Sequence, residues 1–131
     1  MKILFDTSFL VSAMKFKIDI IPELMKFGKP EMFVLDMVVR ELAELAKGRG
    51  KDGINSRLSI GFIEREHVGV MKTHPGYTDR KIITYALNRD MAVCTVDGSL
   101  KKMLLKRGAK VIIIMQGKYL TLAPNFQKRR G

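Results

Sequence analysis

Asp6, Glu41, Asp79 and Asp97 are the residues of this chain whose types and spacing could do chemistry. Asp6 ends the apolar run Ile3-Leu4-Phe5. Thr7 and Ser8 follow it, before Phe9, Leu10 and Val11 open a helix. A carboxylate at the end of an N-terminal strand, backed by hydroxyls at a helix start, stands where open α/β sheets place their chemistry. An N-cap would account for Asp6 equally well, because Asp side chains accept from the free N–H groups of a helix. Asp97 ends the run Ala92 to Val96 as Asp6 ends the first. Asp79 follows Thr78 at a helix start, where the dipole favours a negative charge. Glu41 lies at the edge of the apolar face made by Val38, Val39, Leu42, Leu45 and Ala46. A solvated boundary residue is the plain alternative for it. Glu44, nearly opposite, is placed for a surface pair with Arg40.

If the first and fourth strands are neighbours, Asp6 and Asp97 lie side by side. Like charges that close oppose one another's ionisation. A divalent cation removes the conflict. Magnesium takes oxygen ligands, keeps several waters and is held by one or two carboxylates. Such an ion can activate water and stabilise an in-line phosphoryl transition state.

The elements that must position these acids alternate along the chain. Strands are expected at Ile3 to Phe5, Met32 to Leu35, Val68 to Met71, Ala92 to Val96 and Val111 to Met115, with Tyr119 to Leu122 a short edge strand. Helices are expected at Ser8 to Met14, Ile18 to Phe27, Met37 to Lys47, Ile54 to Glu66, Thr78 to Asn88 and Ser99 to Lys106. The loop 48–53 is basic and glycine-rich, reads as mobile, and matches no phosphate-binding consensus. Strands alternating with helices imply an α/β fold: a three-layer α/β/α sandwich on a mainly parallel sheet of about five strands.

At 131 residues the chain reads as one domain, 1–131, with 124–131 a mobile basic tail. No apolar run approaches the ~20 residues that span a bilayer, so no membrane association is expected. Asp6 interrupts the first apolar stretch too early for a signal peptide. The single cysteine, Cys94, cannot form an intramolecular disulfide, which fits a reducing cytoplasm. Lys and Arg total 24 against 13 acids, a net charge of +11. That surplus suits a polyanion, most often nucleic acid; a solvated lysine-rich surface is the other account of it. A carboxylate cluster within a basic protein has a simple logic, in which the surface gathers phosphate backbone and the metal-loaded pocket cuts it.

The pattern Asp6-Thr7-Ser8, then Arg40-Glu41-Leu42, then Thr78-Asp79, then Thr95-Val96-Asp97 resembles that of PIN-domain nucleases over nearly the whole chain. The individual motifs are short; their order and spacing carry the resemblance. It implies Mg²⁺ or Mn²⁺ held by Asp6, Glu41, Asp79 and Asp97 for RNA cleavage, with Ser8 and Thr95 in support. It also implies a homodimer. The nearest kin by pattern are stand-alone archaeal members and the PIN nucleases of small-subunit ribosomal RNA processing. Many PIN domains carry a further acid where this chain has Ser99, which leaves one or two metals open. Lys101, Lys102, Lys128, Arg129 and Arg130 are the expected RNA contacts. Three roles follow from the resemblance: ribosomal RNA processing with an assembly partner, a VapC-type toxin restrained by an antitoxin, and a non-catalytic RNA-binding assembly protein. A receiver-like phospho-acceptor is disfavoured because Phe5-Asp6-Thr7 offers no paired acids.

Other residues have commoner explanations. His67 and His74 are too few and too poorly spaced for zinc. Asp36 reads as a cap for the helix at Met37. Tyr119 and Phe126 could stack on bases beside Lys118, but packing of the last strand explains them as well.

Overall fold

The computed structural model of the chain describes residues 1–73 and 78–124, and of residues 78 and 79 the backbone alone. Its strands are β1 (Lys2–Phe5), β2 (Glu31–Leu35), β3 (Gly69–Met71), β4 (Ala92–Cys94), β5 (Val111–Met115) and β6 (Tyr119–Leu122). Its helices are α1 (Thr7–Lys15), α2 (Ile20–Met25), α3 (Asp36–Leu45), α4 (Lys51–Arg65), α5 (Thr78–Arg89) and α6 (Gly98–Lys106).

The six strands form one sheet in the order β3-β2-β1-β4-β5-β6. The first five are parallel, and β6 returns antiparallel to β5. The expected short edge strand is therefore the sixth. Its turn needs left-handed backbone at both central residues, and Gln116 (φ 55°) and Gly117 (φ 63°) supply it. Right-handed crossovers put α1 to α4 on one face and α5 and α6 on the other. The packing agrees: α1 sits on α3 and α4, while α5 sits on α6 and β4.

A central parallel strand is covered on both faces and so reads as continuously apolar. Ile3, Leu4 and Phe5 of β1 are all fully buried. The Phe5 ring stacks on Phe9 of α1 at 5.6 Å and meets Phe62 of α4 edge-on at 5.9 Å. Those contacts lock the end of β1 to two helices, and Asp6 is the next residue.

The α3–α4 connection differs from the expected mobile loop. Helix α4 starts at Lys51, three residues before the expected Ile54, because Gly53 packs directly on the Gly48 backbone, where a Cβ would overlap the carbonyl. The Arg57 guanidinium donates to the Ala46 and Gly48 carbonyls at 2.7 and 3.1 Å and closes the end of α3. Helix α2 is shorter than expected, running from Ile20 to Met25. It covers the β6 edge instead: Glu23 accepts from the Leu120 N–H at 2.8 Å and Lys26 donates to the Leu120 carbonyl at 2.9 Å.

A candidate carboxylate centre at the sheet switch point

The strand order reverses between β1 and β4, and open α/β sheets bind ligands beyond the strand ends at such a point. Phe5 pairs with Cys94, and the Asp6 N–H donates to the Cys94 carbonyl at 3.0 Å. Asp6 thus stands beside Thr95, two residues before Asp97. The neighbourhood of the first and fourth strands holds.

Asp6 occupies the N-cap position of α1 but makes no side-chain cap. Its carboxylate is taken up elsewhere. Oδ2 accepts from the Ser8 and Thr95 hydroxyls, each at 2.7 Å. Both bonds fall on one oxygen, and the group is only 8% exposed. The two hydroxyls, and not the end of α1, fix the orientation of this buried carboxylate.

Asp97 does cap its helix. Oδ1 accepts from the Ser99 and Leu100 N–H groups at 2.9 and 3.1 Å. Strand β4 ends at Cys94, earlier than the expected Val96, although the Thr95 N–H still donates to the Ile112 carbonyl of β5 at 3.2 Å. The fully buried Thr95 hydroxyl donates to Asp6 and accepts from the Asp97 N–H at 3.0 Å. Thr95 therefore ties the two acids to one another. Ser8 lies 3.5 Å from Thr95 and accepts from the Val96 N–H at 3.4 Å, completing the bracket.

The other two acids come from α3 and α5. Glu41 is exposed on α3, which continues from β2 next to β1. The apolar face it borders is narrower than expected: Val38 and Leu42 are fully buried, whereas Leu45 is 39% exposed. The expected Arg40–Glu44 pair is replaced by Arg40–Asp36 at 3.7 Å and Lys47–Glu44 at 3.1 Å. Thr78 and Asp79 both fall within α5, with Thr78 its first helical residue as expected. The Asp79 side chain lies outside the described residues, as do His74, Phe126, Lys128, Arg129 and Arg130. Lys101 and Lys102 lie on α6, which Asp97 caps; Lys101 is half-buried and Lys102 exposed. Tyr119 is not free for bases alone, since the Lys26 ammonium sits 5.4 Å from its ring centre.

Asp36 is no cap. It opens α3 and reaches across the same sheet edge to β3's exit, where the Thr73 hydroxyl donates at 2.6 Å and the Thr73 N–H at 3.3 Å. The Thr73 hydroxyl holds the Asp36 carboxyl below its ordinary value. Nothing in the sequence singles out Thr73, 37 positions away. Cys94, one strand position before Thr95, is buried, and burial pushes its thiol well up.

Carboxylate and hydroxyl oxygens with no sulfur or imidazole among them suit a hard divalent cation. Among the described residues no three His, Cys, Asp or Glu side chains gather as a complete cage. Magnesium does not need one, because one or two carboxylates and water suffice. Asp6 and Asp97 fit that requirement.

Most of the chain superposes on solved structures. It matches the PIN domain endonuclease Utp24 with a TM-score of 0.78, at 24% identity, over 92% of this chain and 90% of that one. It also matches a domain of a functionally unknown protein from Methanocaldococcus jannaschii DSM 2661, with a TM-score of 0.60, at 16% identity, over 87% and 91%. No curated protein sequence matches the chain. The sequence model of the PIN like domain matches residues 3–117, from the first strand through the turn after β5. With that match spanning both acid-bearing strands and the helices between them, the chain belongs to the PIN-like domain family.

Proposed function

We propose that the protein is a metal-dependent endoribonuclease that hydrolyses RNA phosphodiester bonds, acting in ribosomal RNA processing in the cytoplasm. The observation that carries this reading is the Asp6 carboxylate. It sits at a helix N-cap without capping, and Ser8 and Thr95 orient it beside Asp97. Asp6 and Asp97 would hold Mg²⁺ or Mn²⁺, with Glu41 and Asp79 as the remaining ligands that the family pattern implies. When bound, such an ion supplies activation of water and neutralisation of charge at the phosphodiester. The chain's own part is positional. Ser8 and Thr95 restrain the Asp6 carboxylate, and the α6 cap leaves the Asp97 Oδ1 occupied by N–H groups. The +11 charge draws phosphate backbone toward the acids.

Helix α6 favours processing over a toxin role: Lys101, Lys102, Lys106 and, just beyond it, Arg107 suit RNA held along its backbone. A homodimer would extend the basic surface, and an assembly partner would deliver the substrate. The test is cleavage of labelled single-stranded RNA by wild type, Asp6→Asn and Asp97→Asn, with Mg²⁺ or Mn²⁺ and with chelator. Cleavage by wild type alone, lost on chelation, is expected. Full activity in either variant would overturn the assignment. No cleavage by any form would favour a non-catalytic RNA-binding protein. Growth arrest on expression of wild type but not Asp6→Asn would favour a toxin restrained by an antitoxin.

A further inference from the structure

A small cleft opens beside the carboxylate centre. It encloses about 160 Å³ and is lined by Thr95, Val96, Gly98, Lys101, Ile113 and Ile114. It shares Thr95 with the hydroxyl bracket around Asp6, so whatever enters it lies next to the acids. Its character is unlike theirs. Val96 is 43% exposed although it stands between Thr95 and Asp97, and the half-buried Ile113 and Ile114 continue the apolar wall. Lys101 carries the only charge among the lining residues. The α6 end cannot serve an anion in its place: the Ser99 and Leu100 N–H groups donate to Asp97 Oδ1, and that of Lys101 donates to the Asp97 carbonyl at 2.9 Å. The volume is well below the ~300–1,000 Å³ of a drug-sized site, which suits one planar ring system.

We propose that this cleft takes the base of the nucleotide next to the scissile phosphate, with Lys101 on that nucleotide's phosphate. The proposal rests on the ribonuclease reading and narrows it. A base seated on Val96, Ile113 and Ile114 is unstacked and unpaired, so the substrate is single-stranded at the cut. Sequence preference is weak, because an apolar wall accepts any base face.

The test uses the metal-free protein with labelled methyl groups and two probes of equal charge: a five-nucleotide oligoadenylate, and the same ribose-phosphate chain without bases. The oligoadenylate should shift the Val96, Ile113 and Ile114 methyl resonances, and the abasic chain should not. Val96→Ser, which adds no charge, should weaken oligoadenylate binding roughly tenfold, as expected for loss of one base contact, and leave the abasic chain far less affected. Lys101→Gln should weaken both. Equal methyl shifts from the two probes, or oligoadenylate shifts confined elsewhere, would overturn the proposal. In the cleavage assay, Val96→Ser should slow cutting of single-stranded RNA about tenfold. Undiminished cutting by that variant refutes the cleft while the nuclease stands. Methyl shifts at the cleft in a protein that cuts no RNA refute the nuclease while the cleft stands.

Discussion

Thr95 is the residue on which the geometry of the centre depends, and Thr95→Val isolates its role. The change keeps volume and branching and removes one hydroxyl from a fully buried site. Two bonds go with it: one to the Asp6 carboxylate at 2.7 Å and one from the Asp97 N–H at 3.0 Å. A hydrogen bond to a charged group contributes about 1.5–3 kcal/mol and a neutral one about 0.5–1.5 kcal/mol. Ser8 still holds the same Asp6 oxygen, which keeps the loss toward the lower end. A destabilisation of about 2–3 kcal/mol is expected, or roughly 10 °C in Tm for a domain of this size. The protein should stay folded, since typical domains have about 5–15 kcal/mol in hand. The assay is urea denaturation followed by far-ultraviolet circular dichroism, run as a cycle with Asp6→Ala. Without Asp6 the Thr95 hydroxyl has lost its acceptor, so Thr95→Val should then cost about 1 kcal/mol or less. An equal cost in both backgrounds would refute the coupling of Thr95 to Asp6.

Three further outcomes follow from the same contacts. Asp97→Asn keeps the α6 cap and should change stability little, whereas Asp97→Ala loses the bonds from Ser99 and Leu100 and should cost about 1 kcal/mol in the same denaturation assay. Gly53→Ala would drive a methyl into the Gly48 backbone, 2.7 Å from its carbonyl carbon, and should lower stability by about 2–3 kcal/mol, read as a fall in Tm. Asp36, held below its ordinary value by Thr73, adds stability above the usual carboxylate range and loses it as pH falls through the lowered native value; Thr73→Val should flatten that acid limb in a series of urea titrations across pH.

The fold was legible because its signals are local. Apolar runs such as Ile3-Leu4-Phe5 are what a doubly covered strand must show, and Gly28, Gly108 and Gly117 mark turns whose backbone is left-handed. The adjacency of β1 and β4 is not legible in the sequence, since parallel order depends on crossovers rather than on any residue. Boundaries failed where long-range contact overrides composition. The glycine-rich segment before Ile54 looked like a mobile loop, yet Gly53 is there to let two backbones touch. In the centre, residue types pointed to Asp6 and Asp97, but not to their different duties. Asp97 caps and Asp6 does not, and the difference comes from Thr95, 89 positions from Asp6. Thr73 is illegible for the same reason: its partner Asp36 is distant in sequence and its own neighbours carry no pattern.

Mn²⁺ titration followed by electron paramagnetic resonance tests the proposed divalent-cation site of Asp6 and Asp97 without knowledge of the substrate. Wild type should bind Mn²⁺ with saturation, and Mg²⁺ should compete. Asp6→Asn and Asp97→Asn should each weaken binding at least about tenfold, equivalent to about 1.4 kcal/mol, while Glu44→Gln, whose carboxylate pairs with Lys47, should bind as wild type does. Binding of equal strength in wild type and Asp6→Asn would place the cation elsewhere and rule out this site.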